Sequence, residues 1–176
     1  LIPTSENPIL TDSRRHQQRV ARYYLGRSPN KSAGQEIPLA RLEMLVGPLR
    51  FIARWEEESA PKTVAAIRRR LPIEAAAIQA RWSGESAWAP ISDYDIQIDF
   101  ENHTSHPAPG DLLLYPGGIS EREILLPYGS AMFASKVGQL AGNHFATVIE
   151  NREQLTEMGR LVLWHGAQKL ILREID

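Results

Sequence analysis

The sequence predicts a mainly β fold, a closed β-barrel capped by two helices, with an N-terminal extension outside it. Three observations carry that prediction: two period-two runs joined by a Gly-Pro turn, a succession of short apolar segments split by Gly, Pro and Asp, and two stretches of helical spacing, one early and one late among the strands. Many short strands with frequent turn signals make a sandwich or a barrel, and closing the barrel removes exposed sheet edges. Residues 1–40 form the arm and residues 41–176 the barrel domain.

The arm holds Pro3, Pro8, Pro29 and Pro38 among many polar residues. One helical stretch is expected inside it, from Asp12 or Ser13 as N-cap to Gly26 as stop. Val20, Tyr23 and Tyr24 share one face there, against a basic remainder; such a segment packs on its own barrel or on a neighbouring subunit, which makes a homo-oligomer the expected state. Leu42, Met44 and Val46 then alternate, Gly47-Pro48 turns, and Leu49, Phe51, Ala53 and Trp55 alternate again: a hairpin. Pro61 opens a helix at a position where no N–H is needed, Val64, Ile67 and Leu71 give its apolar spacing, Arg68, Arg69 and Arg70 suit the C-terminal end of its dipole, and Pro72 stops it. Strands are expected at 76–82, 86–91, 95–99, 111–115, 122–127, 130–134 and 143–149. Asn151 with Gln154 reads as a capping box for a second helix with Leu155, Met158, Gly159 and Val162 buried and Gly166 as stop; Lys169 to Ile175 alternates as the closing strand.

Of the 176 residues 43% are hydrophobic, enough for a full core, and the formal charge of −1 gives no pull toward nucleic acid or an anionic membrane surface. No apolar run reaches the ~18 residues of a membrane span. The absence of cysteine excludes disulfides, thiolate nucleophiles and Cys-based zinc sites, and makes a cytoplasmic location the default expectation. Gly-rich phosphate loops, the dinucleotide fingerprint and the hydrolase Gly-x-Ser-x-Gly elbow are missing, so no cofactor is expected.

The segment Glu58-Ser-Ala-Pro-Lys-Thr-Val64, followed by Ile67 and Leu71, resembles the start of the first cyclophilin helix. A more specific resemblance is to a little-characterised bacterial family of cyclophilin-like proteins. It rests on Leu71-Pro72, Arg81-Trp82-Ser83-Gly84-Glu85 with Trp88, Glu101-Asn102, Pro107-Ala-Pro-Gly-Asp111, Tyr115-Pro-Gly-Gly118, Tyr128-Gly129, Gly138 to His144 and Trp164-His-Gly-Ala167, in family order over 41–176. That family is similar to the C-terminal part of the cucumopine and mikimopine synthases, which join histidine to 2-oxoglutarate by a Pictet–Spengler type closure. The resemblance implies the fold directly and the chemistry by analogy. Prolyl isomerase activity is not expected: Arg81 stands near the isomerase arginine's place, but no Gln-Gly-Gly stretch accompanies it.

Arg81 to Glu85 joins a cation, an indole, a hydroxyl and a carboxylate. Read as a strand, it points Arg81 and Ser83 one way and Trp82 the other. The planar guanidinium suits a ligand carboxylate, and a buried Glu85 would take a proton; an Arg–Glu salt bridge beside a core tryptophan is the equal alternative. Asn143 fits a left-handed turn, and His144 faces the interior with Ala146 and Val148, as a hydrogen-bonded core residue or as a general acid or base. Glu101 and Asn102 orient a ligand amine or tie down their loop. His103 and His106 are read as solvated loop residues rather than zinc ligands, so no metal is expected. Tyr115 and Tyr128 are pocket walls or rim packing. The expectation is a pocket on one side of the barrel for a small carboxylate or amino-acid-like molecule, with Arg81, Trp82, Ser83, Asn102, Tyr115, Tyr128 and Asn143 binding it and Glu85, His144 and Glu101 as acid/base candidates. The rival is a non-catalytic module for a peptide or partner subunit.

Overall fold

The computed structural model describes residues 40–176; the helix expected between Asp12 and Gly26 lies outside them. Among the described residues the order is β1 (Arg41–Val46), β2 (Leu49–Trp55), α1 (Pro61–Arg68), β3 (Ile73–Gln79), β4 (Gly84–Pro90), β5 (His103–Thr104), β6 (Asp111–Tyr115), β7 (Glu123–Ala131), β8 (Ala134–Ser135), β9 (Gly138–Gln139), β10 (Gly142–Glu150), a 3₁₀ turn (Arg152–Gln154), α2 (Leu155–Trp164) and β11 (Gln168–Ile175). Strands run in the spatial order β2-β1-β11-β3-β4-β7-β6-β10, and β10 pairs back onto β2. The eight-stranded antiparallel barrel is therefore closed. No helix among the described residues is long and apolar enough to cross a membrane.

Alternation fills the barrel. Leu42, Met44 and Val46 of β1, Phe51 and Ala53 of β2, Ala87 and Ala89 of β4, Leu112 and Leu114 of β6, Ile124 and Leu126 of β7, and Leu170 and Leu172 of β11 point into one core. Val64 and Ile67 of α1 and Leu155, Met158 and Val162 of α2 complete it. Gly159 lets α2 pass close to the Tyr128 ring, onto which a Cβ would collide. On the outer surface of β1, Glu43 is buried between Arg50 and Arg173; desolvation pushes its carboxyl up, but the two guanidinium groups outweigh that and hold it below the usual range.

Several expectations are corrected. The strand expected at 76–82 spans Ile73–Gln79, and the chain bends over 80–83. Segment 95–99 joins no ladder, although Ile96 is buried in the core. The segment expected at 122–127 and the first two residues of that expected at 130–134 form one strand, β7, running through Gly129, where a Cβ would collide with Glu85; Met132 and Phe133 leave the ladder and Ala134 begins β8. Asn151 makes no helix cap: it is left-handed, with φ 62°, and its Nδ2 donates to the Arg50 carbonyl at 2.9 Å. Asn143 lies within β10 and not in a left-handed turn; Asn102, φ 48°, is left-handed as Asn151 is.

Candidate functional site

The same alternation that fills the barrel leaves an apolar stripe on the outside of β4, β7 and β6. Leu113 and Leu125 alternate out of the barrel and pack with Tyr115, Ala80, Phe133 and Leu140; Trp88, paired with Leu125, lies against them. This second core exists because residues 132–140, carrying the β8–β9 hairpin, fold over the outer face. Tyr115 meets Phe133 edge-on at 6.0 Å, and the Phe133 N–H donates to the Ser105 carbonyl.

A cleft of about 360 Å³ opens where this covering segment fails to reach the end of β3. Ile78, Gln79 and Trp88 line it from β3 and β4, Arg81, Trp82 and Ser83 from the β3–β4 turn, Ser120, Glu121 and Glu123 from the approach to β7, and Ala134, Ser135 and Lys136 from the hairpin. Ser83 ties two of its walls together. The buried hydroxyl donates to the Ala134 carbonyl at 2.9 Å and accepts the Ala134 N–H at 3.1 Å, clasping the turn to the hairpin. Gly84 permits that turn: its φ is +75°, and a Cβ would sit 2.7 Å from the Ser130 carbonyl oxygen. Gln79 braces the turn by donating to the Ala80 and Gly84 carbonyls.

The electrostatics are divided. Arg81 and Lys136 are exposed, and Trp82 is 57% exposed beside them. Glu123 is only 7% exposed on the same outer face as Leu125. Burial, with repulsion from Glu121, pushes its carboxyl up to about 7, and no hydrogen bond from a described residue pulls it back. The cleft thus combines a cationic rim, two indoles and a carboxyl poised between its charged and neutral forms at neutral pH.

A protein-family model for proteins of unknown function, DUF3830, matches residues 42–173. The chain belongs to that family. No curated protein matches it. Among solved structures, the complex of McbB with tryptophan is similar at 17% identity and a TM-score of 0.60, over 75% of this chain and 44% of that one. The chain therefore spans less than half the length of McbB. The solution structure of the hypothetical protein AF2241 from Archaeoglobus fulgidus is similar at 20% identity and a TM-score of 0.52, over 76% of this chain and 92% of that one. At these identities the likeness is one of fold.

Of the residues expected from sequence, the DUF3830 barrel brings Arg81, Trp82 and Ser83 to the cleft, on a turn instead of a strand. Tyr128 reaches it only through Gln79, whose Oε1 accepts the phenol at 2.7 Å. Tyr115 is buried in the second core and its hydroxyl accepts the Ile119 N–H. Glu85 is exposed on β4, where Oε2 accepts the Ser130 N–H at 2.7 Å.

The remaining candidates assemble elsewhere, around α1. Glu101 accepts the Thr63 N–H at 2.8 Å, the Thr63 hydroxyl at 2.9 Å and the Lys62 N–H at 3.4 Å, capping the helix through space. Desolvation pushes this carboxyl up, but those donors prevail and hold it below the usual range. Asn143 is fully buried and saturated: it accepts the Glu101 N–H and donates to Thr63 Oγ1 and the Asp99 carbonyl. Asn102 clamps the His144 backbone from both sides. His144 does not face the interior. A register shift in β10 between His144 and Ala146 changes the phase of the strand, and Nε2 lies 2.9 Å from Thr147 Oγ1 and 3.4 Å from Asp111 Oδ1. Thr147 in turn donates to Glu56 at 2.8 Å.

Sequence reasoning missed Glu121, Glu123 and Lys136, and named Trp88 only within a motif. For Glu123 no local signal was present: at the start of a strand it reads as a solvated glutamate.

Proposed function

We propose that the cleft binds a small carboxylate-bearing molecule, an amino or oxo acid, and that condensation chemistry of the opine-synthase type is what such a site serves. The observation that carries the reading is the placing of Arg81 and Lys136 at the rim of a cleft whose walls are Trp82 and Trp88 and whose buried acid is Glu123. Arg81 offers a planar fork to a carboxylate, and the indoles offer an apolar wall to the rest of the molecule. A volume of about 360 Å³ falls at the lower end of small-molecule sites, which suits a metabolite better than a peptide. The McbB structure holds tryptophan, so a protein containing this fold takes an amino acid. The sequence resemblance to opine synthases points to the same class of ligand.

Isothermal calorimetry against a panel of amino and oxo acids, preceded by a thermal-shift screen, tests this directly. Arg81→Ala is expected to weaken carboxylate binding by about 1.5–3 kcal/mol, the usual worth of a charged hydrogen bond. Unchanged affinity removes Arg81 from the site.

A further inference from the structure

Carboxylate recognition leaves half of the cleft unexplained. Glu123 is buried, lies on the outer face of the barrel two residues from Leu125, and shares the cleft with Glu121. Its strand neighbours do not pair with its side chain: Pro90 stands opposite on β4 and has no N–H or polar side chain, and Tyr115 stands opposite on β6, its hydroxyl accepting the Ile119 N–H and making no hydrogen bond to Glu123. The charged groups facing the cleft from other elements are Arg81 on the β3–β4 turn and Lys136 on the β8–β9 turn. The Glu123 carboxyl lines the cleft and has no hydrogen-bond or ion-pair partner among the described residues, so the cleft is the side from which a partner can reach it.

Building on the carboxylate reading above, we propose that Glu123 receives the ligand's ammonium group, so that the cleft selects a zwitterionic amino acid over a simple carboxylate or an oxo acid. The ligand lies with its carboxylate on Arg81, its cation on Glu123 with Glu121 behind, and an apolar, flat side chain against Trp82 and Trp88. The arrangement explains why two carboxylates share a cleft that has two cations at its rim: the site is complementary to a molecule carrying both charges. It also makes binding proton-linked. The carboxyl must lose its proton to pair with an ammonium, and that proton leaves to solvent. In a condensation with an oxo acid as second substrate the same carboxylate takes the proton the ammonium sheds before its nitrogen attacks the oxo carbon; the nitrogen–carbon bond forms, the two remaining amine hydrogens leave on the oxo oxygen as water, and the proton held by Glu123 returns to solvent.

Three compounds with one ring test the assignment by calorimetry on the full chain: phenylalanine, 3-phenylpropionate, which lacks the amine, and phenylpyruvate, which carries an oxo group in its place. Phenylalanine is expected to bind at least about tenfold tighter than either carboxylate, as the pairing of a buried charge requires. In Glu123→Gln that preference is lost while 3-phenylpropionate keeps its affinity, with circular dichroism confirming the fold. In the wild type, affinity for phenylalanine falls about five- to tenfold between pH 8 and pH 6, and heats measured in phosphate and Tris differ by the release of a proton. Equal affinity for phenylalanine and 3-phenylpropionate, or a preference that survives Glu123→Gln, overturns the ammonium assignment and leaves the carboxylate reading intact. If no compound binds and Arg81→Ala is silent against every acid in the panel, the carboxylate reading falls and this one with it.

Discussion

Glu123 shows how position changes a residue's chemistry. In an unfolded chain its carboxyl ionises near 4.5; in the fold it does so near 7. Between those values the folded state keeps a proton that the unfolded state has lost. The stability contributed by the neutral form is therefore fully present below pH 4.5 and drains away as the pH climbs through about 7. Glu123→Gln removes that penalty. It is expected to raise stability at pH 8 by up to about 3 kcal/mol, at about 1.4 kcal/mol for each unit of displacement, and to change it little at pH 4.5, which urea midpoints at the two pH values will show. None of this was legible in the sequence, where Glu123 looks like any solvated glutamate at a strand start. Arg81 and Trp82, singled out in the sequence by the Arg81–Glu85 motif and there weighed equally as a salt bridge beside a core tryptophan, stand at the cleft. Glu85 drew the same attention, yet it is spent on a backbone N–H of β7.

The elements that shape the cleft depend on a few local conformations. Gly84 starts β4 at positive φ with the Ser130 carbonyl close by. Gly84→Ala forces the turn to move, costs about 1–3 kcal/mol, and displaces Arg81 and Trp82, so that ligand affinity falls along with the denaturation midpoint. At the other pole, α1 has no side-chain cap of its own and takes Glu101 from a distant loop in that role. Glu101→Gln is expected to lose about 0.5–2 kcal/mol at neutral pH, as removal of a capping charge does. Because Glu101 is held ionised in the fold, its contribution is present above 4.5 and is lost as the pH falls through its lowered value; the gap between wild type and variant closes in acid. The sequence showed α1 by Pro61 and the spacing of Val64 and Ile67, but not its cap, since capping here is made across nearly forty residues of chain.

At the scale of the molecule, closure decides most. All eight barrel strands come from residues 41–175, and the pairing of β10 with β2 leaves the barrel without open sides. A chain starting at Ala40 is therefore expected to fold on its own and to unfold in one cooperative denaturant transition; chromatography of the two forms would then show whether the first 39 residues set the assembly state. A broad or multiphasic transition in the shorter chain would contradict a self-sufficient barrel.

What the amino-acid order determined alone was much of the list of parts: the period-two runs of the first hairpin and the closing strand, two helices with proline or glycine at their ends, and the inward face of β1 and β2. These follow from local sterics and from which side of a segment is apolar, and both are written in neighbouring residues. The outward face was decided by tertiary structure alone. Whether Leu125, Trp88 and Glu123 meet water or a covering segment depends on where residues 132–140 come to lie, and that choice is settled by burial between parts of the chain far apart in sequence. The same holds for His144, whose direction was reversed by one register shift in β10. Periodicity reports the phase of a strand only while the ladder runs unbroken, and a bulge is a property of the pair of strands.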